Sequence, residues 1–235
     1  MLTLSTNDVH IHLQFAELFN SSHFNYLDAI ETQRAQAFKF DKDRDLYVAA
    51  HVFLRKVLSR YAQISEEKWE FIINAYGKPS VANFGYEWLK FNLSHTEGLI
   101  ACVVSCNRDV GVDVEKHKSL NDLHSLCRHA FSSMETAFVI STPIYELQLL
   151  RFFNFWTLKE AYIKARGLGF SLPLQQFTFV QEIDQNWHIH YDPSFQEDGK
   201  NWQFNTWCLN KNYYLASCVE IEKLEAEHKL SIRLI

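Results

Sequence analysis

The sequence predicts an α+β protein made of two similar lobes. Each half contains a long amphipathic helical segment, residues 43–61 or 149–165, followed by a glycine-marked turn and then strand-like runs. Each half also contains a predicted hairpin that begins with Phe-Asn, and the two return strands read LIACVVS and YLASCVE. This order places a boundary near residue 109, with an N-terminal lobe over 1–109 and a C-terminal lobe over 110–235. Each lobe is expected to be an antiparallel sheet packed with its long helix, with a ligand site between the lobes.

The elements of the first half follow from apolar periodicity. It predicts a strand over 9–15, helices over 26–40 and 43–61, and strands over 69–73, 91–93, 100–105 and 110–115. The strand over 69–73 ends at the turn residues Gly77 and Pro79.

The elements of the second half carry clearer end signals. The pattern predicts helices over 122–129 and 149–165 and an antiparallel meander over 177–183, 187–191, 202–209 and 213–221. Ser132 and Glu135 have the spacing of a capping box, so a further helix should begin there. The helix over 149–165 should end at Gly167, where glycine permits a left-handed cap. The tail over 220–235 is predicted to be a helix or a strand without a catalytic role.

Composition narrows the possible classes of protein. Hydrophobic residues make up 47% of the 235 residues, which is enough for a large core. The net charge is 23 − 28 = −5, and general nucleic-acid binding needs a basic surface instead. Five cysteines without a C-x-x-C pair indicate reduced thiols. No basic and apolar leader is present and no apolar run approaches ~20 residues, so we expect a cytoplasmic protein without a membrane span.

Two carboxylates stand out in the segment Val-Gly-Val-Asp-Val-Glu. Residues two apart on a strand point to the same face, so Asp113 and Glu115 should lie side by side. Close carboxylates repel one another unless a cation lies between them, and oxygen ligands suit magnesium. The alternative on spacing alone is an exposed strand edge with two solvated acids.

A second pair lies on the helix over 149–165. Glu160 and Lys164 are four residues apart, hence on one face, with Trp156 one turn earlier. An ordinary surface ion pair is the alternative. Because the helix is apolar almost all round, however, these charges are expected to face a partner, a cleft or an ion.

Ser94-His95 does not predict a hydrolase. Adjacent strand residues point to opposite faces, so the two are poorly placed as nucleophile and base, and no G-x-S-x-G motif occurs. The segment around Lys78 and Pro79 likewise lacks the pattern of a phosphate-binding P-loop.

Taken in order, these segments resemble a known family. The series YGKPS, FNLSHTEG, VGVDVEK and FWTLKEAYIKARGLGFSLP resembles the phosphopantetheinyl transferases of the surfactin-synthetase type, in the subgroup with Trp and Lys-Glu-Ala in its last motif. The resemblance extends over residues 31–179. It implies two lobes related by a pseudo-twofold axis, with coenzyme A bound between them and Mg²⁺ (magnesium) as the cofactor.

The resemblance also implies a role for individual residues. Asp113 and Glu115 match magnesium ligands, Glu160 matches a third metal ligand or the general base, and Lys164 matches a lysine on the pyrophosphate. Six residues match positions that hold the nucleotide and its 3′-phosphate: Lys78, Pro79, Ser94, His95, Arg34 and Arg44. His51 is an alternative to Arg44.

The implied activity is transfer of the 4′-phosphopantetheine group of coenzyme A to a serine of an acyl or peptidyl carrier protein, which releases adenosine 3′,5′-bisphosphate. The region over 131–138 is expected to border the carrier-docking face, together with Arg128 and Lys116. Two alternatives stay open, a magnesium-dependent phosphohydrolase and a carrier-binding module without catalysis. Two internal lobes favour a monomer, and no nucleic acid or membrane is expected as a partner.

Overall fold

The computed structural model describes residues 1–15, 21–183, 185–222 and 230–235. Its helices and strands are, in chain order, β1 Asp8–Phe15, α1 Ala29–Gln36, α2 Asp41–Leu58, β2 Phe71–Ile73, β3 Pro79–Val81, β4 Leu89–Thr96, β5 Leu99–Cys106, β6 Val110–Lys116, α3 Leu123–Ala130, α4 Ser133–Ile140, α5 Tyr145–Arg166, β7 Phe177–Gln181, β8 Trp187–Tyr191, β9 Asn201–Leu209, β10 Tyr213–Ile221 and β11 Ser231–Leu234. Short 3₁₀ helices cover Ser21–Tyr26, Glu66–Lys68, Gly169–Ser171 and Leu174–Gln176. The predicted α+β class is confirmed.

The chain divides into two compact units. Unit 1 comprises Met1–Asp109 and Leu230–Ile235, and unit 2 comprises Val110–Lys229. The expected second lobe ran to residue 235, whereas the structure assigns the last six residues to unit 1. The reason is strand pairing, because β11 lies parallel to β1 with Asp8 opposite Ser231 and Ile11 opposite Leu234. Periodicity within four residues cannot show which sheet such a strand joins.

Unit 1 is a four-stranded sheet packed against α2. The strand order is β11-β1-β5-β4, with antiparallel pairing of β1 to β5 and β5 to β4, and β2 and β3 form a separate antiparallel pair. The apolar stripe of α2 enters the core as predicted, since Leu54, Val57 and Leu58 are buried against alternate residues of β5 such as Ile100 and Cys102. This periodicity match explains why α2 and β5 could be found from the sequence.

A buried ionic cluster joins α1 to α2. The Glu31 carboxylate accepts hydrogen bonds from both terminal nitrogens of Arg55, at 2.9 and 2.7 Å, and it lies 2.7 Å from Nδ1 of His51. Glu31 also closes a capping box with Asp28, whose side chain accepts the N–H of Glu31 at 2.8 Å. This cap starts α1 at Ala29, so the predicted helix over 26–40 was too long at both ends.

Unit 2 is a five-stranded antiparallel sheet in the order β6-β10-β9-β8-β7, with α5 packed on β6 and β10. The predicted capping box is present at the start of α4, because Ser132 and Glu135 bond reciprocally to each other's backbone N–H. Gly167 ends α5 with φ 64° and donates its N–H to the Ile163 carbonyl at 2.9 Å. The predicted meander is confirmed as β7 to β10.

A second buried ion pair links α5 to α4 and β7. Lys159 and Glu135 are each 1% exposed, and Lys159 Nζ lies 2.9 Å from Glu135 Oε2. Lys159 Nζ also donates to the Leu174 and Phe177 carbonyls at 2.7 Å each, and Glu135 Oε1 accepts the Phe179 N–H at 2.8 Å. Burial lowers the pKa of Lys159 to about 8, and the charge of Glu135 opposes that shift. The pair fixes the face that α5 presents to the core.

The structure also bears on two expectations about the whole chain. All five cysteines are free thiols. Among the described residues, none of the helices combines the length and the apolarity that crossing a bilayer requires.

Candidate active site

The two carboxylates of β6 lie where the alternation predicted them. In the register of β6 with β10, Asp113 pairs with Ala216 and Glu115 pairs with Tyr214. The intervening Val112 and Val114 are fully buried on the opposite face of the sheet. The Asp113 side chain is 6% exposed and Glu115 is partly exposed, so the two acids line the side of the sheet that α5 covers.

Helix α5 brings the second pair to the same place. Lys164 Nζ donates to Asp113 Oδ1 at 2.6 Å, and the Lys164 side chain is 27% exposed. Glu160 lies one turn earlier on α5 and is partly exposed. The structure therefore joins Asp113, Glu115, Glu160 and Lys164, which the sequence placed in segments about fifty residues apart.

Gly111 permits this approach of helix to strand. A Cβ atom at position 111 would lie 2.0 Å from the Ala161 carbonyl oxygen and 2.5 Å from the Ala165 amide nitrogen. Real Cβ atoms do not come so near backbone atoms, so only glycine fits between β6 and α5 at this contact. Gly111 thereby sets the distance between the strand that carries Asp113 and the helix that carries Lys164.

The carboxylates of this cluster make the ionised form of their neighbours less favourable. Burial raises the pKa of Glu160 to about 7, and the charges of Asp113 and Glu115 add to the rise while Lys164 opposes it. Burial also raises the pKa of Glu115, and Asp113 adds to that rise. The three acids thus lie close enough for their charges to raise the pKa of Glu115 and Glu160, although Lys164 and Lys118 oppose the rise, and a bound cation would relieve this repulsion.

The three-acid magnesium site stays a prediction. In the described part of the chain, no group of three or more His, Cys, Asp or Glu side chains is arranged to hold a metal ion. The charges of Asp113 and Glu115 disfavour the ionised form of Glu160, and Lys164 is bonded to Asp113. The donor set still fits Mg²⁺, which typically takes one or two carboxylates and completes its shell with waters and substrate phosphates.

Two contributors to the cluster were not among the predicted site residues. The Trp156 side chain donates a hydrogen bond to Glu115, which lowers the pKa of that acid against the effect of burial. The Trp156 ring stacks on Phe152 with centroids 5.9 Å apart and planes at 15°. The spacing of Trp156 from Glu160 was the available signal. Gly111 was visible as part of the motif, but its role as a contact point needed the packed structure.

The predicted nucleotide-binding residues all lie in unit 1. Lys78 precedes β3, Pro79 begins β3, and Ser94 and His95 lie on β4. Ser94 is 6% exposed and His95 is exposed, so their side chains do lie on opposite faces.

The two predicted arginines have different surroundings. Arg34 is exposed on α1. Arg44, in the first turns of α2, donates to Asp41 and Asp45 at 2.9 Å each, so carboxylates of its own helix already offset its charge. The alternative residue His51 is held by Glu31 in the buried cluster. Carboxylates therefore already bind both Arg44 and His51, and Arg34 is the most accessible of the three.

Comparison with known proteins finds two family models that together cover most of the chain. Residues 109–218 match the family described as the 4′-phosphopantetheinyl transferase superfamily, and residues 18–107 match the family described as 4′-phosphopantetheinyl transferase, N-terminal. The two matches meet at the boundary between the two units.

Individual relatives carry the same description. The 4′-phosphopantetheinyl transferase HetI of Nostoc sp. is 35% identical over 144 residues, 61% of this chain and 60% of HetI. A phosphopantetheinyl transferase of Thraustochytrium sp. is 30% identical over 64% of this chain and 56% of the relative. The 4′-phosphopantetheinyl transferase Sfp of Bacillus subtilis is 26% identical over 68% of each chain. The matches therefore span less than two thirds of the length of the first two relatives.

A solved structure shows a weaker likeness. A holo-(acyl-carrier-protein) synthase from Bacillus anthracis, in complex with CoA (3′,5′-ADP), aligns with a TM-score of 0.39 and 14% identity over 48% of this chain and 94% of that chain. The assignment to a family rests on the sequence matches.

Proposed function

We propose, since the chain belongs to the 4′-phosphopantetheinyl transferase superfamily, that it transfers the 4′-phosphopantetheine group of coenzyme A to a serine hydroxyl of an acyl or peptidyl carrier protein. The second product would be adenosine 3′,5′-bisphosphate. The observation that carries the proposal is the convergence of Asp113 and Glu115 of β6 with Glu160 and Lys164 of α5, anchored by the 2.6 Å bond from Lys164 to Asp113.

The cluster suits transfer of a phosphoryl group. Asp113 and Glu115 would hold Mg²⁺, with Glu160 as a further ligand or as the base. When bound, the ion would neutralise charge that develops on the diphosphate. Lys164 would add a positive charge beside the same diphosphate, and such fixed charges stabilise the transition state more than the ground state.

Glu160 is the proposed general base. The oxygen of the carrier serine forms a bond to the β-phosphorus of coenzyme A while the bond from that phosphorus to the leaving bisphosphate breaks. Glu160, directly or through a water, takes the proton of the serine hydroxyl. A carboxyl group with its pKa at about 7 is well matched to accept a proton near neutral pH. Burial is the largest cause of that rise in pKa.

The residues of unit 1 form the second part of the proposal. Lys78, Ser94 and His95 would contact the nucleotide and its 3′-phosphate, with Pro79 shaping the turn and Arg34 adding positive charge. Arg44 receives less support, because two carboxylates already bind it. That coenzyme A lies between the two lobes stays a prediction.

Side-chain burial limits which residues of the predicted carrier-docking region can contact a carrier protein. Phe131 is 2% exposed and belongs to the core, so it cannot contact a partner. Met134 and Phe138 of α4 are 66% and 51% exposed, and Arg128 is exposed nearby on α3. We therefore propose α4 with Arg128 and Lys116 as the dock. Charge reversal at Arg128 and Lys116 should raise the carrier KM, and an unchanged KM would remove this assignment.

The finer assignments also belong to the proposal. The presence of Sfp among the relatives and the run Trp156 to Ala161 support the surfactin-synthetase type. A monomeric state and a cytoplasmic location stay predictions from the sequence.

The test is incubation with coenzyme A, Mg²⁺ and purified apo carrier proteins, followed by mass spectrometry. Transfer predicts a gain of about 340 Da on the carrier serine, the mass of the phosphopantetheine group. Turnover of coenzyme A without carrier would indicate the phosphohydrolase instead, and carrier binding without turnover would indicate the module without catalysis. Asp113→Ala and Glu160→Gln should abolish or strongly reduce transfer while circular dichroism stays unchanged, with Glu160→Gln losing ~10²–10⁴ in rate.

A further inference from the structure

We propose that Lys164 is the counterion of Asp113 in the metal-free protein and that it competes with the divalent cation for that carboxylate. The inference rests on the proposed function, because it takes Asp113 as a metal ligand. It adds that metal binding and the release of Lys164 toward the diphosphate are one linked event.

The ion pair occupies the place where the cation is expected. Lys164 Nζ lies 2.6 Å from Asp113 Oδ1, a distance at which the ammonium group is in direct contact with the carboxylate. An ammonium group and a divalent cation on the same carboxylate repel each other strongly, because both are positive and the Asp113 side chain is only 6% exposed to water. Binding of either cation at Asp113 therefore weakens binding of the other.

The two partners differ in their freedom to move. Asp113 is held on β6, whose register is fixed by antiparallel pairing with β10. Lys164 ends a flexible four-carbon side chain that is 27% exposed, so its ammonium group can leave without moving the backbone. Lys164 is therefore the partner that leaves the ion pair when a divalent cation binds Asp113.

The arrangement gives Lys164 two successive roles. Before the cation arrives, Lys164 stabilises the buried Asp113 carboxylate through their ion pair. After the cation arrives, the released ammonium group is within a side chain's length of Asp113 and available to a phosphate. Cation and coenzyme A should accordingly bind with positive coupling that depends on Lys164.

The test measures Mn²⁺ binding to the full chain without coenzyme A, by the electron paramagnetic resonance signal of free Mn²⁺. Lys164→Met and Lys164→Gln remove the competing charge, so both should bind Mn²⁺ on the order of tenfold more tightly than the wild type. Lys164→Arg keeps a positive charge beside Asp113 and should bind Mn²⁺ about as the wild type does. Thermal melts establish that each variant is folded.

Matched controls separate the ion pair from general electrostatics. Lys118 contributes charge near Glu115, yet its exposed side chain is not the partner of Asp113. Lys118→Met should therefore change the affinity for Mn²⁺ much less than Lys164→Met does. Asp113→Asn should remove the gain that Lys164→Met produces, because the two cations then have no carboxylate to compete for.

The outcomes distinguish this inference from the proposed function. Mn²⁺ binding that depends on Asp113 but is equal or weaker in Lys164→Met would overturn the competition and leave the transferase proposal intact. Absence of Mn²⁺ binding in the wild type and in both neutral Lys164 variants would overturn the competition as well. Absence of carrier modification in the mass-spectrometric assay would instead count against the transferase.

Discussion

Gly111→Ala should separate Asp113 and Glu115 of β6 from Glu160 and Lys164 of α5. The added Cβ would lie 2.0 Å from the Ala161 carbonyl oxygen and 2.5 Å from the Ala165 amide nitrogen. Carbon and backbone atoms in contact normally lie ~3.5–4.0 Å apart, so α5 must retreat from β6 by roughly 1.5 Å. The same retreat would draw Lys164 Nζ and the Glu160 carboxylate away from Asp113, to which Lys164 now binds at 2.6 Å.

The expected loss is larger in rate than in stability. Misplacement of about 1 Å can cost on the order of 10² in rate, whereas overpacking of this kind costs about 1–3 kcal/mol in the free energy of unfolding. Steady-state transfer to an apo carrier measures kcat and both KM values, and urea denaturation measures the free energy of unfolding. Because the clash is with a backbone oxygen, Ala161→Gly in the same chain should not restore the rate.

Gly85→Ala is the matched control. Gly85 has φ 83° and an added Cβ there would meet nothing within 4 Å, so the substitution strains the backbone without moving α5. It should lower stability by about 1 kcal/mol and leave kcat close to that of the wild type. Equal losses of kcat in Gly85→Ala and Gly111→Ala, or an unchanged kcat in Gly111→Ala, would refute the spacing argument.

Three further perturbations test the clusters around this site. Glu31 has its pKa lowered to about 2, because hydrogen bonding and positive charge outweigh burial. Its folded pKa lies below the unfolded value of 4.5, so ionised Glu31 adds about 3 kcal/mol to the free energy of unfolding above pH 4.5. This contribution is lost as the pH falls toward 2. Glu31→Gln should abolish this part of the acid dependence in urea titrations. Lys159→Met should lower the free energy of unfolding by about 3–5 kcal/mol, because the buried Glu135 carboxylate loses its ion-pair partner. The double variant with Glu135→Gln removes the charge but keeps an acceptor oxygen for the Phe179 N–H, so it should recover part of that loss. Trp156→Phe keeps an aromatic ring against Phe152 but removes the hydrogen-bond donor to Glu115. The Mg²⁺ concentration for half-maximal rate should therefore rise with little change in melting temperature, and an unchanged Mg²⁺ dependence would remove Trp156 from the site.

Much of the fold could be predicted because its signals are local. The capping box at Ser132, the left-handed cap at Gly167 and the apolar stripe of α2 each lie within a few residues of chain. One of the errors also has a local cause. The capping box at Asp28 starts α1 at Ala29, and the apolar period alone did not show this starting point.

The sequence did not show which buried charges pair with one another. Lys159 and Glu160 are neighbours in sequence, yet Lys159 is buried against Glu135 while Glu160 faces the acids of β6. The sequence indicated that charges on an apolar helix need partners, but it could not assign them. A rotation of 100° per residue sends adjacent side chains to different surroundings, and those surroundings come from elements distant in the chain.

The candidate site likewise depends partly on local sequence patterns and partly on tertiary packing. The alternation Val-Asp-Val-Glu and the four-residue spacing of Glu160 and Lys164 specified which side chains share a face, because strand and helix periods are properties of the local backbone. The packing of α5 on β6 decided that these faces meet, that Gly111 sets their separation, and that Lys164 binds Asp113. Those distances depend on the mutual fit of elements about fifty residues apart, and no local pattern encodes that fit.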